Sequence, residues 1–109
     1  YFESLQKTEI SRYFPKVYSN NDLDIIPLRF VWSQPNGSEI RSKLSKFLQT
    51  DWTWFMEPIV ATSEKLESFG YKKGSCPIAE KIGPGMINLP CNIKIEQAKK
   101  LVKMLLKVI

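Results

Sequence analysis

A chain of 109 residues with 43% hydrophobic and 25% charged side chains reads as one globular domain, 1–109, too rich in apolar residues for disorder over most of its length. No apolar run approaches the ~18 residues that a membrane span needs. Histidine is absent, which removes Ser-His-Asp and Cys-His triads and His-ligated metal sites and lowers the expectation of an independent enzyme.

The net charge of +5 is unevenly placed. Between Ile93 and Ile109 there are five lysines (Lys94, Lys99, Lys100, Lys103, Lys107) against one acid, Glu96. Cys76 and Cys91 make neither a disulfide framework nor a zinc-ligand spacing, so free thiols in a reducing, cytoplasmic compartment are expected. The chain starts at Tyr1 without an initiator Met or a signal-like segment, and reads as an excised or processed piece.

In chain order, Phe2 to about Phe14 predicts a helix, with Ile10, Tyr13, Phe14 and Val17 as its apolar stripe and Pro15 ending it. Ser19-Asn20-Asn21-Asp22 is a turn. Ile25 to Ser33 reads as a strand, Ile26, Leu28, Phe30 and Trp32 on one face and Arg29 on the other. Asn36 followed by Glu39 resembles a capping box, and Ile40, Leu44, Phe47 and Leu48 predict a second helix. Asp51 to Glu57 has strand composition and is closed by Pro58; Ser63 to Phe69 holds a helical turn or two that Gly70 can stop.

Cys76 to Ile82 suits a short helix with Pro77 in its first turn, Gly83-Pro84-Gly85 a turn, and Met86 to Leu89 a short strand. The last helix buries Ala98, Leu101, Val102, Leu105, Leu106 and Ile109, with Asn92 an early cap and the lysines outward. The order predicts an α+β fold, a small mainly antiparallel sheet of three main strands with helices packed on one face. The expected core is Ile26, Leu28, Phe30, Ile40, Leu44, Phe47, Leu89, Val102 and Leu105.

The lysine-rich helix has no interleaved aromatics to stack bases and no RNA-binding signature, so neither nucleic acid nor membrane is expected as a partner. Glu57 lacks the second group that general-base work requires. Trp52, Trp54 and Phe55 suit an interface or a core equally.

The run Gly70-Tyr71-Lys72-Lys73-Gly74-Ser75-Cys76-Pro77-Ile78-Ala79-Glu80-Lys81-Ile82, with Ile87-Asn88-Leu89-Pro90 and the closing amphipathic helix, resembles the end of DegT/StrS-type aminotransferases. These are pyridoxal-phosphate enzymes of the aspartate-aminotransferase fold, many of which act on nucleotide-linked keto sugars. Ile26-Pro27-Leu28-Arg29-Phe30 resembles the first small-domain strand of that family. The resemblance spans about Ile10 to Ile109. It implies a C-terminal small domain, inactive alone, with a large domain of the same polypeptide supplying the Schiff-base lysine and most cofactor contacts.

A homodimer is implied for the parent enzyme. Catalytic and cofactor-binding residues are expected to be absent from this chain. Where family members often carry a His after the strand matching 51–57, this chain has Pro58-Ile59-Val60. Phe2 and Leu5, with the segment from Trp52 to Pro58, are expected to form the surface against the large domain; the alternative is a sheet covered on both sides by the domain itself. Phe55, Glu57 and Pro58 would then border the substrate cleft, Glu57 as a polar contact. A non-catalytic interaction module with a basic surface helix is the second function class.

Overall fold

Alternation along two short segments builds the sheet. The computed structural model describes residues 1–24, 27–46, 55–59 and 65–109. Strand β1 (Arg29–Ser33) pairs antiparallel with β2 (Met86–Pro90), Phe30 opposite Leu89 and Trp32 opposite Ile87. Because successive side chains leave opposite faces, these four are buried together, while Arg29, Val31, Ser33, Met86 and Asn88 share the other face.

The inner face is covered by α2 (Gly37–Ser45) through Ile40 and Leu44, by α4 (Ile95–Leu105) through Val102 and Leu105, and by Leu5 and Ile10 from the N-terminal segment. The architecture is therefore α+β, as the sequence predicts. A short helix, α3 (Pro77–Ile82), borders the outer face: the Ser33 hydroxyl donates to the Ile82 carbonyl at 2.6 Å. No helix among the described residues is long and apolar enough to cross a membrane. Cys76 and Cys91 are free thiols.

The N-terminal segment departs from the single helix expected. Helix α1 spans only Phe2–Leu5, and a 3-10 turn follows at Glu9–Tyr13. The Thr8 hydroxyl donates to the Leu5 carbonyl at 2.6 Å in the bend between them. Phe14 is extended (φ −72°, ψ 141°), as a residue before proline must be. This bend turns Leu5 fully inward and folds an aromatic layer over β1.

Tyr18 stacks on Phe30 at 4.8 Å between centroids, Tyr1 stacks on it at 5.7 Å, and Phe14 meets it edge-on at 5.1 Å. Phe2 lies 6.3 Å from both Phe14 and Tyr18. Such pairs contribute about 0.5–1.5 kcal/mol each beyond their burial. The Tyr1 hydroxyl donates to the Pro90 carbonyl at 2.9 Å, and the Val31 amide donates to the Tyr18 hydroxyl at 2.8 Å. Phe2 and Leu5 thus belong to this domain's own packing, which corrects their expected role as an outward interface.

Leu28, expected in the core, is 73% exposed. Strand alternation fixes a side chain's face only within the ladder, and Leu28 precedes the first paired residue, Arg29. Of the expected core, Phe30, Ile40, Leu44, Leu89, Val102 and Leu105 are buried. Ile26 and Phe47 lie outside the described residues. The expected third strand falls partly on 51–54, also outside them; Phe55, Met56 and Glu57 form a turn and bend rather than a ladder, and the sheet has two strands among the described residues.

Helix ends also differ in detail. Asn36 caps α2 without a side-chain bond to its amides; its Oδ1 accepts instead from Gln34 Nε2 at 2.6 Å. Glu39 pairs with Lys43 at 2.7 Å one turn on, so no reciprocal capping box forms. Lys94, not Asn92, precedes α4, and its amide donates to Gln97 Oε1 at 3.1 Å. Leu106 and Ile109, expected inward, remain exposed, because the helix ends at Leu105. Gly70 (φ +76°) stops a 3-10 turn at Leu66–Phe69, as expected.

Candidate functional site: a cavity on the outer face of the sheet

The outer face of the sheet is roofed by the turn at 55–58. That turn sits where it does because Gly83 has no side chain: a Cβ there would overlap the Met56 carbonyl, so glycine lets the two backbones meet. Between the turn, the sheet and α3 lies a cavity of about 600 Å³, within the ~300–1,000 Å³ common for small-molecule sites. Its walls include Val31 and Met86 from the strands, Leu28 ahead of β1, and Ala79 and Ile82 from α3.

Phe55, Glu57 and Pro58, the three residues singled out in the sequence, all line this cavity. Phe55 is 50% exposed, so its ring is half covered and half open to the cavity side. Among the described residues, Arg29 and Glu57 are the charged side chains of the lining, one of each sign, and the others are apolar.

A second cavity of about 250 Å³ adjoins the first and shares Glu57 and Pro58 with it. Here the lining is polar: Glu67, Tyr71, Lys73 and Glu80 join Met56, Leu66 and Pro84. Glu80 Oε1 accepts from the Tyr71 hydroxyl at 2.5 Å and from the Gly74 amide at 2.6 Å. These two bonds hold the Glu80 carboxyl below the usual carboxylate range. Partial burial and the neighbouring Glu80 charge push the Tyr71 phenol up to about 12.

The three residues singled out in the sequence share one cavity, but the sequence does not show the wall they face. Arg29 was visible as the outward residue of an alternating strand, and Val31 and Met86 follow from the same alternation once the pairing is known. Tyr71, Lys73 and Glu80 lay within the motif that carries the family resemblance, without a role attached. What assembles them is the fold of the loop at 71–75 back onto α3, which no spacing rule reveals.

This surface can bind a ligand with an apolar body and polar ends, and exclude water from its apolar part. It does not fit pyridoxal phosphate. Among the described residues no lysine lines the first cavity, and Lys73 in the second stands on a surface loop next to carboxylates. Among the described residues no group of three or more His, Cys, Asp or Glu side chains could hold a metal ion. Comparison with known proteins returned no matching family, no curated relative and no solved structure of similar fold.

Proposed function

We propose that the chain is the C-terminal small domain of a cytoplasmic, pyridoxal-phosphate-dependent aminotransferase of the DegT/StrS type, acting on a nucleotide-linked keto sugar. In this reading the large domain of the same polypeptide carries the cofactor and its lysine, the parent enzyme is a homodimer, and residues 1–109 alone are inactive. The observation that carries it is that Phe55, Glu57 and Pro58 line one cavity together with Leu28 and Ile82, and that Leu28, Phe55 and Ile82 are exposed. Apolar groups left open around a cavity suit a surface that a second domain closes.

In its role beside the cleft, Phe55 offers a ring face, Pro58 rigid apolar contact and Glu57 a hydrogen-bond acceptor. None of them moves a proton in this scheme. The gene upstream of the Tyr1 codon supplies the direct test: continuation into a large domain with a Ser-x-x-Lys lysine region is expected, and an independent start would overturn the proposal. In that enzyme, Phe55→Ala and Glu57→Gln should raise KM for the keto sugar by roughly tenfold while kcat changes little, the signature of lost uniform binding. An unchanged KM in both variants would sink the cleft assignment.

The second reading, a non-catalytic interaction module, draws on α4. Its Lys99, Lys100 and Lys103, with Lys107 just beyond its end, are exposed, while Leu101, Val102 and Leu105 are buried. Binding of an acidic protein that charge reversal at Lys103 and Lys107 abolishes would favour it.

A further inference from the structure

The loop at 71–75 has no regular structure, yet it is tied at both ends. Gly70 (φ +76°) and Gly74 (φ +91°) turn the backbone through the left-handed region, and the Tyr71 amide reaches back to the Leu66 carbonyl at 3.3 Å. Within the loop, the Ser75 amide donates to the Lys72 carbonyl at 3.0 Å, and the Ser75 hydroxyl donates to the same oxygen. Among the described residues, one side chain outside the loop grips it in the middle. That is Glu80 on α3, through the Tyr71 hydroxyl and the Gly74 amide together.

We infer that Glu80 is a positioning residue: its ionised carboxylate straps the 71–75 loop onto α3, and so sets Tyr71 and Lys73 as the wall of the second cavity beside Glu57. Removing the carboxylate leaves both glycine turns free to reorient, and Lys73, the one cation among the described residues lining that cavity, leaves its place. The inference rests on the proposed cleft only in taking this wall as ligand-facing. The strap itself is a property of the 109-residue chain.

The charges around the strap make it pH-dependent. From the loop, the Tyr71 hydroxyl, the Gly74 amide and the Lys73 charge face Glu80, and the Cys76 amide joins them from the start of α3; Glu57 and Glu67 line the same cavity. Lys73 favours the negative charge on Glu80. The hydrogen bonds from Tyr71 and Gly74 dominate, which keeps Glu80 ionised to lower pH than an ordinary glutamate.

Amide NMR of the 109-residue chain over an acid titration tests this without cofactor or substrate. The Gly74 amide and the Tyr71 ring signals should move together with one midpoint below the ordinary glutamate value of about 4.3. The protection of the Gly74 amide against exchange, relative to the intrinsic rate at each pH, should then fall by roughly tenfold on the acid side, since that bond no longer opposes local opening. In Glu80→Gln, which keeps the shape, that acid titration should vanish. The Tyr71 midpoint should fall from about 12 toward its ordinary ~10 while the melting temperature stays nearly constant.

In Tyr71→Phe, the Gly74 signal should still titrate, with its midpoint raised. A Gly74 amide blind to Glu80 protonation, or loop signals identical in wild type and Glu80→Gln, would overturn the inference. A gene lacking a large domain would sink the aminotransferase proposal and leave the strap untouched.

Discussion

Gln34 is buried among apolar side chains and uses almost every polar atom it has. Its Oε1 accepts from the Trp32 indole at 2.7 Å, its Nε2 donates to Asn36, its amide donates to the Gly85 carbonyl at 3.1 Å, and its own carbonyl accepts from Gly37 at 3.0 Å. An indole N–H left without a partner beneath the sheet would keep its full desolvation penalty. Gln34→Ala should therefore lower stability by about 1–3 kcal/mol, read from the urea midpoint at constant slope. Gln34→Met separates hydrogen bonding from packing, because it restores volume without an acceptor. If Gln34→Met is as stable as wild type, the indole bond contributes nothing.

At the scale of elements, the first turn of α2 is locked against the turn that precedes β2. A Cβ at Gly37 would overlap the Gly85 carbonyl, and backbone atoms cannot swing aside as a side chain would. Glycine normally weakens a helix by about 0.5–1 kcal/mol relative to alanine. Gly37→Ala should nonetheless destabilise the chain by about 1–3 kcal/mol, the cost of forcing overpacked groups apart. A gain in melting temperature would show that α2 is free to shift.

Elements of this kind divide what the sequence makes legible from what it hides. Phe30, Trp32, Ile40, Leu44 and Leu105 could be read because periodicity is a local consequence of strand and helix geometry. Pro77 and Gly70 were readable because each fixes its own backbone. The inward turn of Leu5, the exposure of Leu28 and the seating of the 55–58 turn on Gly83 depend on partners distant in the chain. The same holds for the site: Phe55, Glu57 and Pro58 were found as neighbours in sequence. Val31, Met86 and Glu80 join them only through the pairing of strands and the fold-back of a loop.

The whole molecule carries a titratable layer on its N-terminal side. Burial, with a smaller contribution from Cys91, pushes the Tyr1 phenol up to about 12, and burial also raises Tyr18 despite the Val31 amide that favours its ionised form. Both folded values lie above the ordinary ~10, so the neutral phenols stabilise the fold fully below that pH. The contribution is lost as pH rises from there through the folded values. Burial raises the Cys91 thiol as well, which adds the same sign. Melting temperature followed by circular dichroism should fall between about pH 10 and pH 12, and Tyr1→Phe should flatten part of that fall. A profile that Tyr1→Phe leaves unaltered would remove Tyr1 from the explanation.

The bond from the Val31 amide to the Tyr18 hydroxyl has a further consequence, which concerns other copies of the chain. Among the described residues the sheet has two strands, so each has one side without a ladder partner there, and such bare edges recruit strands from neighbouring molecules. Tyr18 occupies the central donor of β1's bare side with a phenol and lays its ring along the same strand, so an incoming chain finds no continuous row of amides to zip onto. Tyr18→Phe keeps the ring and uncovers the amide. It should leave the melting temperature almost unchanged while increasing self-association at high concentration, measured by light scattering, whereas equal scattering from both proteins would assign the phenol no part in keeping the chains apart.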